Sequence, residues 1–90
     1  MPKYLIERNI PNLGQRSPRE LREAAATSCR VLNQLGPQIQ WVQSYVSANK
    51  LFCIYIAPGP ELIREHALRS GFPADNIYPV STIIDPVTSE

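Results

Sequence analysis

The chain has 90 residues and a mass of 10.1 kDa, enough for one domain with a modest core and too little for a cleft between two domains. Hydrophobic residues make up 43% and charged residues 19%, a soluble globular composition that argues against disorder. Nine Lys and Arg against eight Asp and Glu leave a net charge of +1, too balanced for a nucleic-acid or anionic-membrane binder. No apolar run approaches the roughly 18 residues of a membrane span, and the N-terminus lacks a signal-peptide pattern, so a cytoplasmic protein is expected.

Lys3 to Ile10 reads as a first strand, rich in β-formers and stopped by Pro11. A loop follows to Arg16. Ser17-Pro18-Arg19-Glu20 then opens a helix, with Ser17 as N-cap, Pro18 at the first helical position and Glu20 placed for a capping box. Leu21, Ala24, Ala25, Ser28, Leu32 and Leu35 recur at helical spacing, and Gly36-Pro37 ends the run. Ile39 to Val46 and Leu51 to Ala57 read as a hairpin whose turn, Ser47 to Lys50, offers Asn49 for a positive φ. Glu61 to Ser70 reads as a second helix closed by Gly71, and Ile77 to Ile84 as a fourth strand before a tail from Asp85.

The order β-α-β-β-α-β with right-handed crossovers predicts an α+β fold of the ferredoxin-like kind, one domain over residues 1–90. Its four-stranded antiparallel sheet carries both helices on one face. No iron–sulfur cluster is implied, since two cysteines are too few.

Alternation predicts which side chains face the helices. Phe52, Ile54, Ile56, Val42, Val46, Tyr4, Ile6, Val80 and Ile84 are expected there. The open face is then expected to carry Leu5, Glu7, Asn9, Trp41, Gln43, Tyr45, Cys53, Tyr55, Ser81 and Ile83. So apolar and aromatic a surface predicts that two copies pair through their open faces, with Trp41 as a central anchor. Glu7, Trp41, Gln43, Tyr45, Cys53 and Tyr55 would line the chamber between them, either satisfying one another or holding a ligand. Glu7, projecting from a central strand, needs a cation, a metal, a hydrogen-bond donor or water. Tyr55, Cys53, a lysine or an arginine could supply it.

His66, the only histidine, borders the core-facing stripe of the second helix and reads first as a structural residue with one satisfied nitrogen. Cys29 and Cys53 read as reduced, unpaired thiols on opposite sides of a packed layer. No HExxH, phosphate loop or Ser/His/Asp order can be assembled.

The segments Trp41 to Val46, Cys53 to Pro58, Ile63 to Ala67 and Gly71 to Ala74, with Tyr4 to Arg8 and Ile84 to Pro86, resemble a family of small bacterial proteins. That family is described as a domain of unknown function and has nickel-binding members. The resemblance implies a ferredoxin-like homodimer with nickel near its interface; this chain offers His66, Glu7, Glu65, Cys53 and Cys29 as candidate ligands, with Glu7 and His66 foremost. With one histidine per chain, a multi-histidine site would have to borrow from a second chain. The function expected is therefore a cytoplasmic, dimeric, non-enzymatic metal- or small-ligand-binding protein, possible cofactor nickel, with no nucleic-acid or membrane partner. Two alternatives stay open. One is a cofactor-independent dimeric α+β-barrel enzyme of monooxygenase or isomerase type, using Glu7 with Tyr45 or Tyr55 as base. The other is a protein-interaction module.

Overall fold

A computed structural model describes residues 1–90. Its elements are β1 (Lys3–Asn9), α1 (Pro18–Leu35), β2 (Gln40–Val46), β3 (Lys50–Ile56), α2 (Pro60–Ser70) and β4 (Asn76–Pro79), with 3-10 turns at Leu13–Gln15 and Pro86–Ser89. The strands are ordered β2-β3-β1-β4 and every neighbouring pair is antiparallel. Both helices lie over one face, which is the ferredoxin-like α+β arrangement.

Local chemistry sets the element ends. The Ser17 hydroxyl accepts from the Glu20 N–H at 3.1 Å, and the Glu20 carboxylate accepts from the Ser17 N–H at 3.1 Å. Such a box is worth about 1 kcal/mol and fixes where α1 begins. Gly36 closes α1 at φ 95° and Gly71 closes α2 at φ 79°, backbone that a side chain would strain. The turn between β2 and β3 is closed by Ser47, whose N–H and hydroxyl both donate to the Lys50 carbonyl. Asn49 does not take the positive φ expected of it; Asn12 does, at 61°. Asn49 instead accepts from the N–H of Ile10 and, through its side chain, from the N–H of Asn12, tying the end of β1 to the hairpin.

The core gathers Tyr4, Ile6, Ile39, Cys53, Tyr55, Ala57 and Ile63 between sheet and helices. Ile6 and Ile63 are completely buried, each worth about 1.5–3 kcal/mol of apolar burial. Directly paired residues share a face, so registers decide orientation. Tyr4 pairs with Tyr55 and Ile6 with Cys53, which turns Cys53 and Tyr55 toward the helices. Phe52, Ile54 and Ile56 therefore lie on the open face, the reverse of the alternation reading. In β2 the register slips between Trp41 and Gln43, leaving Val42 as a bulged residue. Trp41, opposite Tyr55, faces the helices, whereas Gln43 and Tyr45, opposite Ile54 and Phe52, face outward.

The last strand is shorter than expected. It ends at Pro79, which has no N–H to donate, and only the Val80 N–H continues the pairing, to the Lys3 carbonyl at 2.9 Å. Ser81, Ile83 and Ile84 are exposed and belong to neither face. Asp85 caps the following turn through the Thr88 N–H.

Candidate ligand cavity and the two sides of the sheet

Between the sheet and the N-terminal half of α1 lies a cavity of about 490 Å³, well within the range of small-molecule sites. It exists because the sheet-facing stripe of α1 is small at Ala24, Ala25 and Ser28, while larger residues (Leu32 and Leu35) fill the equivalent space further along. Apolar side chains line most of it, among them Leu13, Leu21, Leu51 and Phe72. Trp41 lies in its wall, with its indole N–H donated to the Ser44 hydroxyl at 2.8 Å.

Polar groups converge at the floor. Arg8 is buried, with 1% of its surface exposed, and its Nη1 donates to the Pro73 carbonyl at 2.7 Å. Its Nε and Nη2 have no well-aligned hydrogen-bond partner, although the guanidinium lies close enough to the Tyr55 hydroxyl to work against the upward shift of that group, and no carboxylate lies within salt-bridge distance. Beside it the Ser28 hydroxyl meets His66 Nε2 at 3.0 Å and the Tyr55 hydroxyl at 3.4 Å. The Tyr55 and His66 rings are 5.2 Å apart. Burial first, and the nearby Arg8 charge second, push His66 down to about 4, although a hydrogen bond with the Ser28 backbone works the other way. Its imidazole is therefore neutral at pH 7, with Nδ1 unpartnered. Burial pushes the Tyr55 hydroxyl up, so it stays protonated.

The open face is organised differently. Glu7 accepts from Lys50 Nζ, from Asn76 Nδ2 at 3.3 Å and from the Tyr78 hydroxyl at 3.2 Å. The Lys50 hydrogen bond is the main reason its carboxyl titrates below the usual range; partial desolvation opposes this. Gln43 donates to the Tyr45 hydroxyl. Around them Leu5, Phe52, Ile54 and Ile56 are half-buried, and Tyr45 and Tyr78 are exposed.

Of the residues expected to share one chamber, the structure groups Glu7, Gln43 and Tyr45 on the open face and Trp41, Cys53 and Tyr55 behind the sheet. A single chamber holding all six does not form, because β3 is phased oppositely and β2 is bulged. Glu7 and His66 are likewise separated by the sheet. Cys29 is exposed and Cys53 buried, and both are free; Cys53, however, lies on the helix side. The charged residue that sequence reasoning passed over is Arg8. Its signal was present, since it follows Tyr4 and Ile6 at the two-residue spacing of the buried face.

These features define the class: a ferredoxin-like α+β domain with a ligand-sized cavity between sheet and helix. The chain belongs to the SCO4226-like family, described as nickel responsive proteins, whose family model matches residues 4–80. Among solved structures, the crystal structure of SCO4226 from Streptomyces coelicolor A3(2) is similar over 91% of this chain and 99% of that one, with a TM-score of 0.77 and 15% sequence identity. At that identity the likeness concerns the fold alone. No curated protein matches the chain.

The donors within one chain do not fit a nickel site. No three His, Cys, Asp or Glu side chains come together. The Glu7 carboxylate already holds three donors, one of them a cation. His66 lies close enough to the buried Arg8 for that charge to lower its pKa, and the same charge repels a metal ion.

Proposed function

We propose that this protein is a small, non-enzymatic binding protein whose ligand occupies the cavity between the sheet and α1, and that two copies associate through their open sheet faces. One observation carries the ligand reading: the cavity is apolar, yet its floor holds a buried arginine with two donors that lack well-aligned partners. Such a group is costly in a resting interior and useful in a binding site. Exposed and half-buried Tyr45, Tyr78, Phe52 and Ile54 support the pairing of faces. Trp41, the only tryptophan, reports on the cavity directly. Titration with a small apolar probe such as cyclohexanol, read by Trp41 emission, is expected to saturate at one probe per chain. A linear response that never saturates rejects the cavity as a ligand site.

The family's nickel response favours a second, compatible reading. A metal role for this chain requires an assembled site, because one chain lacks three convergent donors. Glu7 is the anionic candidate on the face where copies would meet, once released from Lys50. Metal analysis of untagged protein, followed by calorimetric titration with nickel of wild type, Glu7→Gln and His66→Gln, tests it. Loss of binding in Glu7→Gln alone supports an interface site, and loss in His66→Gln alone moves the metal behind the sheet. Full binding in both leaves only a surface adduct.

A further inference from the structure

We propose that the cavity behind the sheet binds a monocarboxylate with an apolar body, its carboxylate held side-on by Arg8. The inference rests on reading the cavity as the ligand site and names the chemistry of the ligand. Three features of the arginine point to it. The two donors without a well-aligned partner, Nε and Nη2, share one edge of the planar guanidinium with parallel N–H bonds; that edge is covered in the resting chain, so a ligand reaches it from the cavity by displacing the side chains over it. That edge matches the two oxygens of a carboxylate. The remaining nitrogen, Nη1, is anchored on the Pro73 carbonyl at 2.7 Å, which fixes the plane and holds the fork in place.

Charge selects the sign of the ligand. No acidic residue lines the cavity, whereas Arg8 and Arg16 both do, Arg16 standing exposed at its rim. A cation is repelled; an anion meets one guanidinium at the entrance and a second at the floor. The Ser28 and Tyr55 hydroxyls sit beside the floor, and Tyr55, kept protonated by burial, adds no competing negative charge. Hydrophobicity then limits how much charge the ligand brings. With one buried cation and a lining of Leu13, Leu21, Leu51 and Phe72, the site offsets one negative charge and gives the rest of the molecule an apolar wall. A phosphate dianion would be left short of donors.

The experiment compares octanoate with octanamide, which share a tail and differ in charge at the head. Trp41 emission at pH 7.5 reads binding to the wild-type protein and to Arg8→Met, with circular dichroism confirming that the variant is folded. Octanoate is expected to bind wild type at least about tenfold more tightly than octanamide, since hydrogen bonds to a charged group carry that much discrimination. In Arg8→Met the preference is expected to be lost or reversed, because the carboxylate then has no counter-charge in the cavity; a persisting octanoate preference overturns the role of Arg8. Equal binding of the two by wild type overturns the anion assignment while leaving the cavity as a ligand site. Binding of neither overturns both. A third arm guards against attachment elsewhere: Ala25→Phe fills the cavity from the α1 side, and undiminished octanoate binding by that variant also overturns the proposal.

Discussion

Glu7 and Arg8 are neighbours on β1 and point to opposite sides of the sheet. On the open side, Glu7 has water within reach and still collects three donors. On the closed side, Arg8 is buried, holds one carbonyl and leaves two donors without well-aligned partners. Elementary solvation would favour the reverse, because an unmet hydrogen bond costs least where solvent can meet it. The chain therefore spends its polar complementarity on the face that needs it least. That imbalance is the observation on which the proposed ligand site rests.

That contrast can be broken or sharpened by measurement. The largest effect is expected from the core beside Arg8: Ile6→Ala should destabilise the fold by about 2–4 kcal/mol in urea unfolding. Leu5→Ala on the open side should cost clearly less; equal losses would mean that the two sides are packed alike. Next comes the arginine itself. Arg8→Met keeps the length and removes the unpaired charge, so without ligand it should raise stability by about 1–3 kcal/mol. A loss of that size would show that Arg8 is satisfied in the resting protein. Glu7→Gln, by contrast, should leave the unfolding midpoint nearly unchanged, because exposed pairs contribute little.

The third effect follows from His66. Its pKa is lowered from 6.5 to about 4 in the folded chain, so between these values the unfolded chain binds more protons. Stability then rises with pH across that window and is lost as pH falls from about 6.5 toward 4, by an amount on the order of 2 kcal/mol. His66→Gln should flatten this slope; an unchanged slope would place the titration elsewhere. The smallest perturbation is chemical: exposed Cys29 should react with a thiol reagent in the native protein, and buried Cys53 only after unfolding. Equal native rates would contradict the placement of Cys53 behind the sheet.

Much of this architecture is legible in the residues. The Ser17 box, the Gly36 and Gly71 stops and the strand–helix order each have a local cause, and each appears where that cause predicts. β1 was readable because polar and apolar residues alternate along it, putting Tyr4 and Ile6 on one side and Leu5 and Glu7 on the other. β3 was not. Leu51 to Ile56 is apolar throughout, so nothing in the segment marks its phase, and only pairing with β1 sets it. β2 carries an alternation that the bulge at Val42 interrupts, which is why Trp41 lies on one side and Tyr45 on the other. The site was harder still. Arg8 could be placed by spacing, but that its fork would lack partners depends on the absence of an acid from every element packed around it, a property of tertiary contacts alone.

The bulge in β2 has a further consequence at the rim of the sheet. A free edge strand presents a row of unpaired N–H and C=O groups onto which another chain can add, and proteins blunt such edges with bulges, prolines and short strands. Here the β2 edge is interrupted at Val42, while the opposite edge is a strand of four residues ending in Pro79. Neither margin offers a long, regular template for a fifth strand. Growth of the sheet sideways, the route toward swapped or fibrous assemblies, is thereby discouraged at both ends.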